Sequence, residues 1–326
     1  MMTPNAAAAL LAVLGCMPFA IGQAADKPTD ATAVQMGAEL RSRIQEGNAG
    51  TAVNSPSETK AGLTYNVHMS DCENRWVALY HKPEDHDYTY GFVYIDPEAG
   101  FTFHVFGSFT IDGDGNYHAA PNPLASDKFS FKIRLDSGNG VAAQLPPRAV
   151  SQLKLPEKPD WLKGYEDKSD PVTHKANWGS FYNGMGDSER ALTYLEPAYR
   201  EKPDDHKVVF ELAYAYNALG RPEDAIRVAK SEFTKKPTDE LLCREMAYSY
   251  LSLKSWKEAT EQYKVCIALC DDSEAGRAEK SELAMNMGAA FKQLGDAPSY
   301  EAWLKKAMDW APKGSTVYKA LHPDEQ

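Results

Sequence analysis

The sequence predicts an α+β chain: an antiparallel, β-sandwich-like domain over residues 61–145, then an all-α array of about four helical hairpins over residues 172–314. Three observations predict it. Aromatic-rich runs with period-two alternation fill the first region, as in Phe101-Thr102-Phe103-His104-Val105 and Phe129-Ser130-Phe131-Lys132-Ile133. The second region repeats itself every 34 residues. Between them, residues 146–171 hold prolines at 146, 147, 156, 159 and 171, with Trp161 and Tyr165 among them, which reads as a stiff linker.

The segments before the β-region point to export. Residues 1–24 contain no Asp, Glu, Lys or Arg, and Ala6 to Leu14 is unbroken apolar sequence. The small-residue exit Gly22-Gln23-Ala24 completes the layout of a secretory signal peptide cleaved after Ala24, lacking only its usual basic start. Val13-Leu14-Gly15-Cys16 offers a second route, a lipoprotein anchored at Cys16. Pro18 and Gly22 interrupt a run already short of the ~20 apolar residues a membrane span needs, so no transmembrane segment is expected after cleavage. The mature chain is expected to be periplasmic or secreted, and the lack of an Asn-X-Ser/Thr acceptor after residue 24 leans towards a bacterial source. Residues 25–60 read as a flexible leader with a short amphipathic helix over Ala31–Gln45.

Within 61–145 the strand candidates are Thr64–Met69, Trp76–His81, Tyr88–Ile95, Phe101–Ile111, Lys128–Leu135 and Val141–Leu145. Turn chemistry separates them at Asp96–Gly100, Asp112–Asn116 and Asp136–Gly140. Alternation along each strand implies one buried and one wetter face.

Charge excludes some partners. Lys plus Arg number 35 against 46 Asp plus Glu, a formal net charge of −11, and no basic stripe is present, so nucleic acid is not expected as a ligand.

Catalytic signatures are weak. His81, Asp85, His86 and His104 are a conceivable metal set, but His81 and His86 stand five apart with Pro83 between them, which suits a polar turn better than a helical metal motif. Asp112-Gly113-Asp114-Gly115-Asn116 resembles the start of a calcium loop, yet Tyr117 and Pro123 replace its turn glycine and closing acid, so a hairpin turn explains it better. Cys72 lies beside Asp71 and Glu73, whose charge opposes a reactive thiolate. No phosphate-binding, dinucleotide or nucleophile-elbow motif occurs, so no cofactor, metal or enzymatic activity is expected.

The repeat is the strongest signal. Frames begin at Val172, His206, Glu240 and, after an insert of residues 274–280, Ser281. The eighth residue is small (Gly179, Ala213, Ala247, Gly288) and the eleventh aromatic (Tyr182, Tyr216, Tyr250, Phe291). The fifteenth is Gly186, Gly220, Lys254 and Gly295; the twentieth is Ala191, Ala225, Ala259 and Tyr300, a departure. Pro203, Pro237 and Pro312 close three of the frames, with Asp271 in the other. Small residues let two helices approach, the aromatic fills the gap, glycine turns the chain and proline ends the second helix.

On these positions residues 172–314 resemble a tetratricopeptide repeat (TPR) array. The resemblance implies a module that binds protein or peptide through the inner face of its first helices. It places Asn183, Lys207, Phe210, Tyr214, Asn217, Arg244, Tyr248, Leu251, Met285, Lys292 and Gln293 on that face. Phe210 and Tyr214 carry two readings, as ligand contacts or as packing between adjacent repeats. Ala176 and Ser180 stand where chaperone-binding arrays need charge and amide, so a chaperone tail is not the expected ligand. The same frame sets Cys243 across the hairpin from Cys266, with Cys270 one turn on. A bond from Cys243 to either, or buried thiols throughout, fits the pattern.

The expected function is therefore an exported TPR adaptor for a protein or peptide partner. The alternative is carbohydrate-binding, hydrolytic or metal-dependent activity in the β-domain, motivated by aromatics and histidines between Tyr80 and His118.

Overall fold

The computed structural model describes residues 62–80, 87–120, 131–137 and 140–322, which divide into two compact units between Asp187 and Ser188. The proposed signal peptide and Cys16, the leader with its helix over 31–45, His81, Asp85, His86, Pro123 and residues 323–326 lie outside the described residues.

The first unit is built on an antiparallel sheet. Its strands are β1 (Val67–His68), β2 (Arg75–Ala78), β3 (Tyr88–Asp96), β4 (Gly100–Ile111), β5 (Tyr117–Ala119), β6 (Lys132–Arg134) and β7 (Val141–Gln144). The order is β1-β7-β2-β3-β4-β5, with β6 also on β4. The long β4 pairs with β3 from Gly100 to Phe109, with a register shift at Tyr90/Gly91, and its other edge is shared: β6 takes Thr102–His104 and β5 takes Phe109–Ile111. β1 is shorter than the alternation suggests, starting only at Val67, and at its far end the chain turns at Met69–Cys72 into a 3-10 helix that buries Met69, Ser70 and Cys72.

The sandwich-like second layer comes from the proline-rich segment. Trp76, Tyr90, Phe92, Tyr94 and Phe109 form an aromatic core, against which Val150, Leu153, Leu155, Trp161, Leu162 and Tyr165 pack. Helix α1 (Pro147–Gln152) starts on proline, and a 3-10 turn spans Asp160–Tyr165. The Trp76 indole Nε1 donates to the Pro156 carbonyl at 2.7 Å, and Trp161 stands edge-on to Phe92 and Tyr94 with ring centres 6.1 and 5.2 Å away. The prolines stiffen a segment that the two aromatics pin to the sheet.

Helix α2 (Pro171–Gly184) closes this unit. Asp170 caps it, accepting from the backbone N–H of Val172 and Thr173, and Pro171 fills the first helical position. Its far end docks on the sheet: the Tyr182 ring lies edge-on to Phe101 at 5.1 Å, its hydroxyl donates to Glu73 Oε2 at 2.8 Å, and the Ser137 N–H donates to the Gly184 carbonyl at 2.9 Å.

The second unit is a run of helices: α3 (Ser188–Glu201), α4 (His206–Ala218), α5 (Pro222–Lys235), α6 (Glu240–Ser252), α7 (Trp256–Leu269), α8 (Glu274–Gln293), α9 (Ala297–Trp310) and α10 (Thr316–Leu321). α4–α5, α6–α7 and α8–α9 pair as hairpins, and α3, α5 and α7 pack on the helix that follows. Asp205 and Asp239, both at the last frame position, cap the next helix by accepting from Val208 N–H and Leu242 N–H. The insert at 274–280 is helical and lengthens α8 by about two turns. Tyr300 lies opposite Gly288, where an added Cβ would meet its carbonyl oxygen at 3.6 Å and its Cδ2 at 3.7 Å, ordinary contact distances. At the array's end α10 sets Val317 and Leu321 on Ala284, Met285 and Ala307 as a cap.

The four frame turns share one construction. The N–H of the sixteenth residue donates to the carbonyl of the eleventh: Asp187 to Tyr182, Arg221 to Tyr216, Ser255 to Tyr250 and Asp296 to Phe291, at 2.8–3.0 Å. The fifteenth residue has positive φ in each case: Gly186 76°, Gly220 68°, Lys254 59° and Gly295 75°. These are helix ends closed through a left-handed residue.

Candidate functional site

Helical spacing puts Lys207, Phe210, Tyr214 and Asn217 on one face of α4, and Arg244, Tyr248 and Leu251 on one face of α6. Lys207 is exposed; Phe210, Tyr214, Arg244, Tyr248 and Leu251 are half-buried, with rings and stems partly in solvent. Lys292 and Gln293 are exposed at the end of α8, and Met285 is buried against the terminal cap. Asn183 is buried near the end of α2, in the first unit.

Asn217 is also inward. Its amide Nδ2 donates to Glu245 Oε2 at 2.9 Å and to the Glu245 carbonyl at 3.0 Å, while Ser249 Oγ donates to its Oδ1 at 2.7 Å. The network spans two consecutive frames and leaves Asn217 5% and Glu245 4% exposed. Burial pushes the Glu245 carboxyl upward, opposed by the Asn217 hydrogen bond and the Arg244 charge. Arg244 lies between carboxylates, 3.9 Å from Glu245 and 3.8 Å from Glu279. Burial likewise raises Glu279, with Arg244 opposing. The Arg244 charge is thus largely committed within the fold, and the Lys292 ammonium sits 5.4 Å from the centre of the Tyr300 ring. What this face offers a ligand is a strip of half-buried aromatic and aliphatic surface bordered by the exposed Lys207.

Glu245 and Ser249 were not among the candidates drawn from the sequence. A signal for them was present: Glu211 and Glu245 occupy the same frame position, as do Asn183 and Asn217, and an acid recurring on an otherwise apolar stripe calls for a buried partner.

Cys243 and Cys266 are joined by a disulfide across the α6–α7 hairpin, with Cα atoms 5.6 Å apart. Cys270 is a buried thiol donating to the Cys266 carbonyl at 3.3 Å, and burial pushes it up to about 12. Cys72, buried in the first unit, is likewise pushed up to about 12, by burial and then by Asp71. Neither environment makes a reactive thiolate.

Most of the described aromatics of the β-region are core: Phe92, Tyr94, Phe103 and Phe109 are fully buried, and Trp76 and Tyr90 nearly so, while Phe106 is 43% exposed and Tyr80 and Tyr88 are half-buried. His104 packs on Trp161 with ring centres 4.5 Å apart, and burial, followed by the Lys132 charge, takes it down to about 4, so it is neutral at pH 7. The Asp112–Asn116 segment is a hairpin turn: Asp112 Oδ1 accepts from the N–H of Asp114 and Asn116, and Oδ2 from Asn116 Nδ2 and His118. The His118 hydrogen bond and then those of Asn116 hold the Asp112 carboxyl far below its usual range. Among the described residues, no three His, Cys, Asp or Glu side chains gather as a metal site, and no helix is long and apolar enough to cross a membrane.

A family model for the tetratricopeptide repeat matches residues 183–231. No curated protein is significantly similar in sequence. Among solved structures, MamA from MSR-1 is 18% identical, with 50% of this chain and 85% of that chain covered, at a TM-score of 0.39. MamA (41-end) from Desulfovibrio magneticus RS-1 is 17% identical, covering 50% and 83%, also at 0.39. Scores of that size carry no weight here beside the match, the register and the helix pairs. Residues 183–231 thus match the tetratricopeptide repeat, and the 34-residue register and helix pairs on either side of them are tetratricopeptide-repeat-like.

Proposed function

We propose that this chain is an exported adaptor that captures a protein or peptide partner along the faces of α4 and α6, as a scaffold rather than a catalyst. The observation that carries the reading is the strip Phe210, Tyr214, Tyr248 and Leu251, half-buried on consecutive repeats with Lys207 at its border. Rings anchored on one side and wet on the other suit an extended or helical segment laid across them. Export is supported by the uncharged, apolar first 24 residues and by the Cys243–Cys266 bond, a linkage that persists in oxidising compartments.

The test is crosslinking and co-purification of the full chain from its native envelope, beside a Phe210→Ala, Tyr214→Ala, Tyr248→Ala variant whose helicity matches the parent. A partner held by the parent and lost by the variant supports the reading; equal recovery by both counts against it. Intact mass of the exported protein separates cleavage after Ala24 from lipidation at Cys16, and retention of residues 1–24 defeats export.

A further inference from the structure

The third frame differs from its neighbours at two places within one hairpin. At the turn between α6 and α7 it holds Lys254 at φ 59°, where the other three frames place glycine. A Cβ in that region is disfavoured about fivefold to thirtyfold relative to glycine. The same hairpin carries the Cys243–Cys266 bond, whose sulfurs lie in a core with Ala247, Ala259, Tyr263 and Met287. The weakest turn and the covalent staple therefore coincide.

We propose that the disulfide compensates for the non-glycine turn, making the third frame a redox gate: locked when oxidised, the first part of the array to open when reduced. Repeat arrays are held by local and nearest-neighbour terms, so a weakened repeat opens locally rather than taking the whole array with it. The chemistry is a two-electron exchange. A dithiol reductant gives two electrons and two protons, the Sγ–Sγ bond breaks, Cys243 and Cys266 become thiols, and the reductant closes its own disulfide. Cys270 does not replace the lost bond, because its buried thiol supplies little of the thiolate that exchange needs. Opening α6 displaces Arg244, Tyr248 and Leu251; that consequence rests on the binding reading, while the gate itself does not.

Hydrogen exchange read by mass spectrometry on the full chain tests it, with oxidised protein, protein reduced by dithiothreitol, and Lys254→Gly in both states. A Cys243→Ser, Cys266→Ser variant supplies the open form if reduction is incomplete. Reduction is expected to speed exchange across residues 240–269 on the order of 100-fold, the size expected for a closed loop of this length. Residues 206–235 should change far less, and Lys254→Gly should recover roughly fivefold or more of the loss. Equal exchange in both states, a loss spread evenly over all frames, or no recovery by Lys254→Gly overturns the proposal. So does protein purified without reductant that shows no disulfide.

Discussion

Helices α2 and α4 obey the same positional code and are used differently. Each is started by an aspartate, each has its aromatic at the eleventh frame position, and each ends in the same glycine turn. In α4 the aromatic serves the array: the Tyr216 hydroxyl donates to Glu196 Oε1 at 3.0 Å, and Arg221 lies 4.4 Å over its ring. In α2 the equivalent Tyr182 serves the sheet, through Phe101 and Glu73. The code specifies a helix and its turn; the neighbour it packs on is decided by whatever apolar surface is available.

The largest expected effect tests this division. Tyr182→Ala and Tyr216→Ala each remove a buried aromatic, costing about 3–5 kcal/mol in chemical denaturation. The location of the loss should differ. Hydrogen exchange should rise in β4 and around Ser137 for Tyr182→Ala, and in α3 and α5 for Tyr216→Ala. If both variants loosen the same helices and spare the sheet, α2 is an ordinary array helix and the comparison fails.

Asn217→Ala comes next. It strips the buried Glu245 carboxyl and the Ser249 hydroxyl of a partner, and a cost of about 1–3 kcal/mol follows from leaving such groups unsatisfied. Denaturation midpoints measure it. A neutral result would mean water replaces the amide and the network between frames is slack.

On the sheet side, His104 gives a pH dependence. Its folded value lies near 4, below the unfolded value of about 6.5, so the unfolded chain binds more protons between those limits. Stability from keeping it neutral is complete above about pH 6.5 and is lost as pH falls towards 4, on the order of 1–2 kcal/mol after allowing for partial solvent screening. His104→Leu should flatten the difference in stability between pH 7.5 and pH 4.5. An NMR titration placing His104 above 6 would remove the effect.

Much of this was legible from residues alone. Periodicity of two and of 34 gave the antiparallel sheet and the hairpins, because both report which face of an element is buried. The inward role of Asn217 was not legible, since a groove amide and a buried amide look alike until the neighbouring helix supplies Glu245. The covering role of Trp161 and Tyr165 was only half legible: aromatics among prolines signal anchoring, but not on what. His104 was ambiguous for a related reason, because period two gives alternation without saying whether the second face is covered.

The smallest expected effect probes what the two helices share. Gly186→Ala and Gly220→Ala each force a Cβ onto a left-handed residue, at about 1 kcal/mol. Around Gly220 the added carbon meets nothing within 4 Å, so its cost is conformational alone. Around Gly186 it meets Ser137 Cβ at 3.4 Å, an ordinary contact that shifts the cost by a few tenths of a kcal/mol at most. Near-equal losses are therefore expected from two turns whose helices pack on different partners. A Gly186→Ala loss several times larger would mean that the turn at Gly186 is also shaped by the sheet, and that the positional code is not independent of what its helix packs against.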